Sequence, residues 1–383
     1  MKLKSVRSVK NFNGSRVIVR VDFNEPLDTR GRILDDFRIQ HTLPTLKWIL
    51  GHNGKVFIIT HLGQPKGRDM RLSVSPVARH LAKLLKRDVG VVGDPIKQNP
   101  WSFKEAVIIC ENIRFWPGEL KNSAGFAKAL AKWGGFYVND AFAESHRLAA
   151  SIVGLPKVLP SFAGILLEHE VKTLNRIFRK PKRPFLVIVG GAKISTKMEY
   201  LKAFVKKADQ VAIGGALFNT ILAAQDHEIG RSLIEKGSVS EARRLGKHKK
   251  LLLPEDVCVI RRLGDGMRPA VRAIGAIGPN DYICDIGPRS VAAFSRAVKS
   301  AKTILWNGPL GYMEMHYCRR GTVSVARSLK KTRARVVVGG GDLVALFDTE
   351  RILVRRVYFS TGGGALLEFV TKGTLPGIKA LRR

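Results

Sequence analysis

The feature that most constrains the fold is a repeated alternation of short apolar runs with amphipathic segments. The apolar runs are rich in β-branched residues, and Gly, Pro, Asn or Asp follows each of them before the next amphipathic segment. Strands that alternate with helices in this way are typical of α/β domains with largely parallel sheets. The predicted strands are 16–21, 55–60, 106–110, 136–140, 184–191, 210–215, 251–260, 303–308 and 335–341.

A long predicted helix at about 163–179 divides this pattern into two halves. It ends at the prolines of 180–184, with four predicted strands before it and at least five after it. We therefore predict the fold class as α/β, with two Rossmann-like parallel-sheet domains joined by a hinge helix. Shorter helices are predicted at 77–87, 125–133, 291–301 and 322–331.

The charge balance indicates an anionic partner. The chain has 383 residues, a length that suits two domains, and its 45% apolar content is ample for buried cores. Lys and Arg number 66 against 31 Asp and Glu, so the formal net charge is +35. Phosphorylated metabolites, nucleic acid and anionic surfaces are the partner classes that such a charge favours.

Cysteine usage and the first residues indicate a reducing, cytoplasmic compartment. The four cysteines lie far apart in sequence, with no CxxC pair and no Cys/His spacing of a zinc site. The first residues contain no apolar segment typical of a signal peptide, and no uncharged run is long enough to cross a bilayer. The cysteines are Cys110, Cys258, Cys284 and Cys318.

Glycine-rich loops follow the predicted strands of the second half. Glycine allows backbone N–H groups to approach an anion closely, and a helix N-terminus favours negative charge. One such loop is more often structural, but four of them, one with a lysine and one with an aspartate, favour a nucleotide phosphate site. Neither a P-loop nor a GxGxxG pattern occurs. The loops are 190–193, 214–215, 339–342 and 362–364.

Polar and basic residues follow the predicted strands of the first half. Each alone is as readily a solvated or capping residue, but together they predict a basic pocket for a small, phosphorylated acid. One lobe for an acidic metabolite and one for a nucleotide suit phosphoryl transfer. The residues are Asp22, Asn24, Arg38, His61, Arg114, His146 and Arg147.

A set of segments spread over nearly the whole chain is highly specific in combination. The segments are VRVDFNEPL, DDFRI, THLGQPKG, ENIRFWPGE, VNDAFAESHR, GGAKISTK, DIGP, WNGPLGYME, VVVGGGD and STGGGALLEF followed by LPGIKAL. In these segments and in their order, the chain resembles the phosphoglycerate kinase family.

The resemblance implies reversible phosphoryl transfer between 1,3-bisphosphoglycerate and ADP, giving 3-phosphoglycerate and ATP, with Mg²⁺ and with closure of a hinge in a cytoplasmic monomer. It implies a phosphoglycerate-binding domain at 1–163, an interdomain helix at 164–180 and a nucleotide-binding domain at 181–375, with the tail 376–383 packing back on the first domain. No membrane partner and no specific nucleic acid are expected.

The same resemblance assigns roles residue by residue. Asp22, Asn24, Arg38, His61, Gln64, Arg114 and Arg147 would hold phosphoglycerate. Gly191, Lys197, Gly214, Asn307, Glu314, Gly340, Gly341, Asp342 and Leu343 would hold the nucleotide, with Asp342 on the metal. Arg38, Lys193 and Gly363 would contact the phosphoryl group during transfer.

Several positions depart from the family pattern and bear on substrate affinity more than on reaction type. They are Gln64 in place of an arginine, Ala143 and Glu144 in place of Gly-Thr, Ala149 in place of a histidine, and Ala216, Leu343 and Trp116. With the +35 charge, these changes motivate an alternative hypothesis, a kinase-fold paralogue that binds anions or nucleic acid. Against it, the basic residues are dispersed and no nucleic-acid-binding motif is present.

Overall fold

Two parallel sheets, each six-stranded among the described residues, organise the chain. The computed structural model describes residues 3–99, 102–192, 194–264 and 266–382, and at 194–196 and 236 the backbone alone. Close contacts divide the chain into unit 1, Met1–Asn175 with Lys372–Arg383, and unit 2, Arg176–Thr371. The predicted α/β class with two parallel-sheet domains is confirmed. Within the described ranges, no helix is both long and apolar enough to cross a membrane.

Unit 1 contains the first sheet and the helices that cover it. Its strands run in the spatial order third, fourth, second, first, fifth, sixth, and all paired neighbours are parallel. The elements are β1 (Arg16–Arg20), α1 (Phe37–Gly51), β2 (Lys55–Ile59), α2 (Ser75–Leu85), β3 (Val89–Val92), β4 (Val107–Cys110), α3 (Pro117–Leu120), α4 (Ala124–Ala131), β5 (Phe136–Asn139), β6 (Ser161–Ala163) and α5 (Ile165–Phe178), which continues into unit 2.

The central strands of this sheet are apolar because helices cover both faces. In β1, every residue after Arg16 is buried, and β2 is buried after Lys55. The amphipathic helix α2 buries Val77, Ala78 and Leu81 in the same core. The polar ends of these strands are thereby left at the carboxyl edge of the sheet.

Unit 2 contains the second sheet, whose order is that of a doubly wound fold. Two strand series run outwards in opposite directions from a central pair, Phe185–Val189 and Thr303–Asn307. The elements are β7 (Phe185–Val189), α6 (Ile194–Lys207), β8 (Gln210–Ile213), α7 (Gly215–Ala224), α8 (Val239–Gly246), β9 (Leu251–Leu252), β10 (Asp256–Ile260), β11 (Ala270–Ala273), β12 (Tyr282–Ile286), α9 (Pro288–Ser300), β13 (Thr303–Asn307), α10 (Arg320–Ser328), β14 (Arg335–Gly339), α11 (Gly341–Thr349), β15 (Val357–Ser360) and α12 (Gly364–Lys372).

The single strand predicted at 251–260 was wrong. The segment forms two strands: β9 pairs with β8 in the parallel sheet, whereas β10 pairs with β11 and β12 in a separate antiparallel sheet. Pro254 lies between them. Proline lacks the N–H that a ladder needs, so the apolar run cannot continue as one paired strand.

The last described helix, α13 (Pro376–Ala380), packs in unit 1. The Gly377 N–H donates to the Ser145 carbonyl at 2.8 Å. A methyl group at Gly377 would come within 2.8 Å of Ile152 Cγ2, so the backbone of the helix packs directly against the Ile152 side chain. The segment that contains Ser145 is therefore supported from behind by residues far away in sequence.

Asp140 joins the end of β5 to the first turn of α5. Its Oδ1 accepts the N–H of Leu167 at 3.1 Å, and the side chain is fully buried. Burial raises the pKa of Asp140 to about 7, against the lowering effect of its hydrogen bonds. The folded chain therefore retains this proton to higher pH than the unfolded chain does.

Asp140→Asn is expected to make the free energy of unfolding less dependent on pH, so that the variant loses less stability as the pH rises. The stabilisation that the raised pKa supplies is complete below about pH 4 and is lost as the pH rises towards 7. Between pH 5 and 8 the melting temperature should fall by about 5 °C less in the variant than in the parent chain. Thermal unfolding across this range measures it, with the exposed Asp348→Asn as control. Parallel slopes for all three proteins would contradict the expectation.

Candidate active site

Polar residues that follow four strands of unit 1 lie together at the carboxyl edge of the sheet. His61 lies between two carboxylates, with Nδ1 3.9 Å from Asp22 Oδ1 and Nε2 3.7 Å from Glu144 Oε1. Arg114 Nη2 donates to Glu144 Oε2 at 2.9 Å, and Arg147 Nε lies 3.0 Å from the same oxygen. Three residues predicted to hold an acidic substrate thus surround the Glu144 carboxylate.

Arg38 occupies the first turn of α1, where residues after β1 fix its direction. Its Nε lies 3.6 Å from Asp22 Oδ2 and its Nη1 3.7 Å from Glu25 Oε2. Nη1 also donates to the Asn24 carbonyl, and Glu25 Oε1 accepts the Arg38 N–H at 2.8 Å. The guanidinium is therefore held on one side while 22% of the side chain stays exposed to a ligand.

Gln64 lies beside this group but does not join it. Asn24 Oδ1 accepts the N–H of Gly63 at 2.7 Å, which ties the loop after β2 to the loop after β1. The next residue, Gln64, is exposed, and within the described ranges its side chain makes no hydrogen bond with the other predicted substrate residues. Lys66 is exposed as well.

Protonation in this group follows from burial and from neighbouring charges. Burial lowers the pKa of His61 to about 4, although the Glu144 and Asp22 carboxylates oppose the effect, so the ring is neutral at pH 7. Burial alone would raise the pKa of Glu144, but the adjacent His61 ring and the guanidinium groups around it hold the pKa at about 2. Glu144 is therefore an anion at every physiological pH.

In unit 2, a cavity of about 400 Å³ lies at the carboxyl edge of the sheet. Loops that follow β7, β8, β13, β14 and β15 form its walls. In doubly wound sheets, ligands bind at this edge, where the two strand series diverge. Of the predicted nucleotide and transfer residues, those that line the cavity are Gly191, Lys197, Asn307, Glu314, Gly340, Asp342, Leu343 and Gly363.

The remaining predicted residues of this site have different placements. Gly214 and Gly341 are not lining residues, although Gly215 and Gly340 beside them are. Lys193, predicted to contact the transferred phosphoryl group, lies outside the described residues.

Close backbone packing shapes one wall of the cavity. A methyl group at Gly190 would lie 1.9 Å from the Pro309 carbonyl oxygen, so the loops after β7 and β13 touch through their main chains. The Lys197 ammonium donates to the Gly190 carbonyl. Gly191 has φ +87°, a conformation that side chains disfavour. The glycines are thus required by the close approach and by the turn.

Asp342 lines the same cavity from the segment after β14, and its carboxylate suits a divalent cation. Its side chain is exposed and lies in the first turn of α11. In the part of the chain that the structure describes, no group of three or more His, Cys, Asp or Glu could form a protein-only metal site. Mg²⁺ commonly takes one or two carboxylates together with substrate phosphates. Asp342 therefore fits a magnesium ion that a nucleotide shares.

Two parts of these sites were not found in the sequence. Arg20, at the end of β1, is 1% exposed and its Nη2 lies 3.7 Å from Glu144 Oε2. The sequence feature that could have revealed Arg20 is a charged residue at the end of a strand with an apolar interior. In unit 2, residues 283–286 of β12 line the cavity. They belong to the antiparallel sheet, which the alternation pattern did not indicate.

Comparison with known proteins identifies the family of the chain. The family model described as phosphoglycerate kinase matches residues 6–372. A phosphoglycerate kinase from Coprothermobacter proteolyticus is 41% identical over 392 residues, covering 100% of this chain and 99% of the relative. One from Pelotomaculum thermopropionicum is 40% identical, with the same coverage.

Solved structures give the same result. Phosphoglycerate kinase from Pyrococcus horikoshii OT3 has a TM-score of 0.86 at 28% identity, covering 99% of this chain and 98% of that one. The enzyme from Coxiella burnetii has a TM-score of 0.80 at 36% identity, covering 99% of each chain. The alternative hypothesis of a nucleic-acid-binding paralogue finds no support in these relatives. The chain belongs to the phosphoglycerate kinase family.

Proposed function

We propose that this chain catalyses reversible phosphoryl transfer between 1,3-bisphosphoglycerate and ADP, forming 3-phosphoglycerate and ATP. In the reverse direction, a carboxylate oxygen of 3-phosphoglycerate attacks the γ-phosphorus of ATP, and the bond from that phosphorus to the ADP oxygen breaks. The observation that carries the proposal is the presence of an anion-directed site at the carboxyl edge of each parallel sheet, in a chain of this family.

The nucleotide would occupy the cavity of unit 2. Backbone N–H groups at the starts of α7, α11 and α12 would face its phosphates, an arrangement that favours negative charge. Asp342 would share Mg²⁺ with the phosphates, and the metal would neutralise charge on their oxygens. Glu314, exposed at the cavity wall, would contact the ribose.

The acidic substrate would occupy the polar group of unit 1. Arg114, Arg147 and His61 would hold its anionic groups, while Asp22 and Asn24 would orient it. Arg38, which Asp22 and Glu25 orient, would stabilise the charge that spreads over the transferred phosphoryl oxygens. Since Arg38 belongs to unit 1 and Lys193 to unit 2, transfer would require the units to close, with α5 as the hinge. We propose that the enzyme acts as a cytoplasmic monomer.

A coupled assay with 3-phosphoglycerate and MgATP tests the activity. We expect ADP formation that requires both substrates and Mg²⁺. A nucleic-acid binding titration across a salt series would run beside it, and binding should vanish near physiological salt. Absence of turnover, together with tight binding to one nucleic acid at physiological salt, would contradict the proposal.

Gln64→Arg is expected to lower the KM for 3-phosphoglycerate by about tenfold, the equivalent of ~1.4 kcal/mol. Gln64 is exposed beside the substrate group, and a carboxamide cannot make the charge-assisted, bidentate contact that a guanidinium makes with a phosphate. Steady-state kinetics measure the change, and the KM for ATP should move little. Gln98→Arg adds the same charge in the loop after β3 and serves as control. An unchanged KM in Gln64→Arg would mean that another residue already fills this role, with Lys66 the first candidate.

A further inference from the structure

The contacts of Glu144 are those that a bound anion would make. One of its carboxylate oxygens lies 2.9 Å from Arg114 Nη2 and 3.0 Å from Arg147 Nε, while the other lies 3.7 Å from His61 Nε2. The side chain is 7% exposed. These three residues are the ones that the proposed function assigns to the acidic substrate. The chain therefore supplies an anion of its own to the two guanidinium groups, of Arg114 and Arg147, that the proposed function assigns to the substrate.

Arg20 does not depend on Glu144 in the same way. Its Nε donates to Ser151 Oγ at 2.9 Å, and that hydroxyl donates to Glu119 Oε1 at 2.6 Å. Glu119 is 2% exposed and also accepts the Ser151 N–H. A second buried carboxylate therefore supports Arg20 through Ser151.

Arg114 and Arg147 are positioned so that a ligand and Glu144 would share their donors. Arg114 Nη1 donates to the Gly63 carbonyl at 2.6 Å, which leaves Nη2 as the donor that faces Glu144. The Arg147 side chain is 38% exposed, so its outer edge is open. A phosphate or carboxylate recognises guanidinium groups through the same charge-assisted hydrogen bonds as the Glu144 carboxylate.

We propose that Glu144 is an internal competitor of the acidic substrate. In the free enzyme it orients and neutralises Arg114 and Arg147, and the anionic group of the substrate binds them only as Glu144 gives up or shares those contacts. Glu144 is a positioning residue, and its effect is a weaker affinity for the acidic substrate. The inference rests on the proposed function for the identity of that substrate.

Glu144→Gln tests the proposal, because the amide keeps the size of the side chain and removes its charge. We expect the Kd for 3-phosphoglycerate, measured by calorimetry without nucleotide, to fall by about tenfold. The KM for 3-phosphoglycerate should fall likewise, while kcat and the KM for ATP change less than about twofold. A Kd that is unchanged or larger would make Glu144 a fixed structural counter-ion and overturn the proposal.

Removing a buried charge that has cationic partners can destabilise the fold, so two further measurements keep the proposal testable. Glu144→Asp retains the charge on a shorter side chain and should give an intermediate Kd for 3-phosphoglycerate. Inorganic phosphate should raise the melting temperature of Glu144→Gln more than that of the parent chain. A parent-like Kd in Glu144→Asp and an equal phosphate effect in both proteins would overturn the proposal.

Glu119→Gln is the matched control, since it also removes a buried carboxylate from this region but touches neither Arg114 nor Arg147. It should lower stability and leave the Kd for 3-phosphoglycerate unchanged. If the parent chain turns over substrate while the Glu144 variants keep its Kd, only this inference fails. If the parent chain neither binds nor phosphorylates 3-phosphoglycerate, the proposed function fails, and the phosphate measurement still decides the role of Glu144.

Discussion

Replacing Arg38 by alanine is expected to lower kcat by two to three orders of magnitude, about 10²–10³. The guanidinium is held from one side by Asp22 and Glu25, so its charge is oriented before substrate arrives. Charge that is already in place stabilises the transition state without reorganisation, and this advantage disappears with the side chain. Steady-state kinetics with saturating 3-phosphoglycerate and MgATP measure the effect.

Two further variants show whether the fall in kcat of Arg38→Ala is specific to the guanidinium group at this position. Arg38→Lys keeps a charge without the planar fork and should recover only part of the activity. Arg32→Ala removes a guanidinium from the same loop region, where the side chain is 73% exposed and pairs with Asp28, and it should keep parental kcat. A near-parental kcat in Arg38→Ala would remove Arg38 from the transfer step.

Gly190→Ala is expected to destabilise unit 2 by about 3 kcal/mol and to abolish tight nucleotide binding. The new methyl group would lie 1.9 Å from the Pro309 carbonyl oxygen and 2.7 Å from its carbon, and both belong to main chain rather than to a movable side chain. The loops after β7 and β13 would have to separate, and these loops form the wall of the cavity.

Thermal unfolding and calorimetry with ADP measure the two effects of Gly190→Ala. The melting temperature should fall by about 6 °C or more, and the Kd for ADP should rise at least about tenfold. Gly275→Ala is the control, because a methyl group there meets nothing within 4 Å. Parental stability and affinity in Gly190→Ala would show that the two loops can move apart without cost.

The strands that carry the sites were predictable, and the short peripheral ones were not. The interior residues of the buried central strands β1, β7 and β13 are apolar, and this property is visible in sequence. By contrast, β11 alternates half-buried with exposed residues and exists through its pairing with β10. The stability of such a strand depends on its neighbours, so local pattern alone does not reveal it.

The parts of the sites that lie in recognisable sequence motifs were predictable from the sequence. The glycine loop with Asp342 was recognised from sequence, and the structure places Asp342 in the cavity wall. Glu144 appeared in sequence only as an unexpected charge. Its partners lie at the end of β1 and in the segments after β2, β4 and β5, so their convergence on one carboxylate depends on strand order. Strand order is a property of the whole sheet and cannot be derived from the residues around Glu144.

Because α13 packs in unit 1, the order in which the chain is synthesised affects how unit 1 is completed. A ribosome makes unit 2 in one uninterrupted stretch, so that unit can fold as soon as it emerges. Gly377, which supports Ser145 next to Glu144, is translated only after all of unit 2. During synthesis there is thus a stage in which the whole of unit 2 has been made while unit 1 still lacks the helix that supports Ser145.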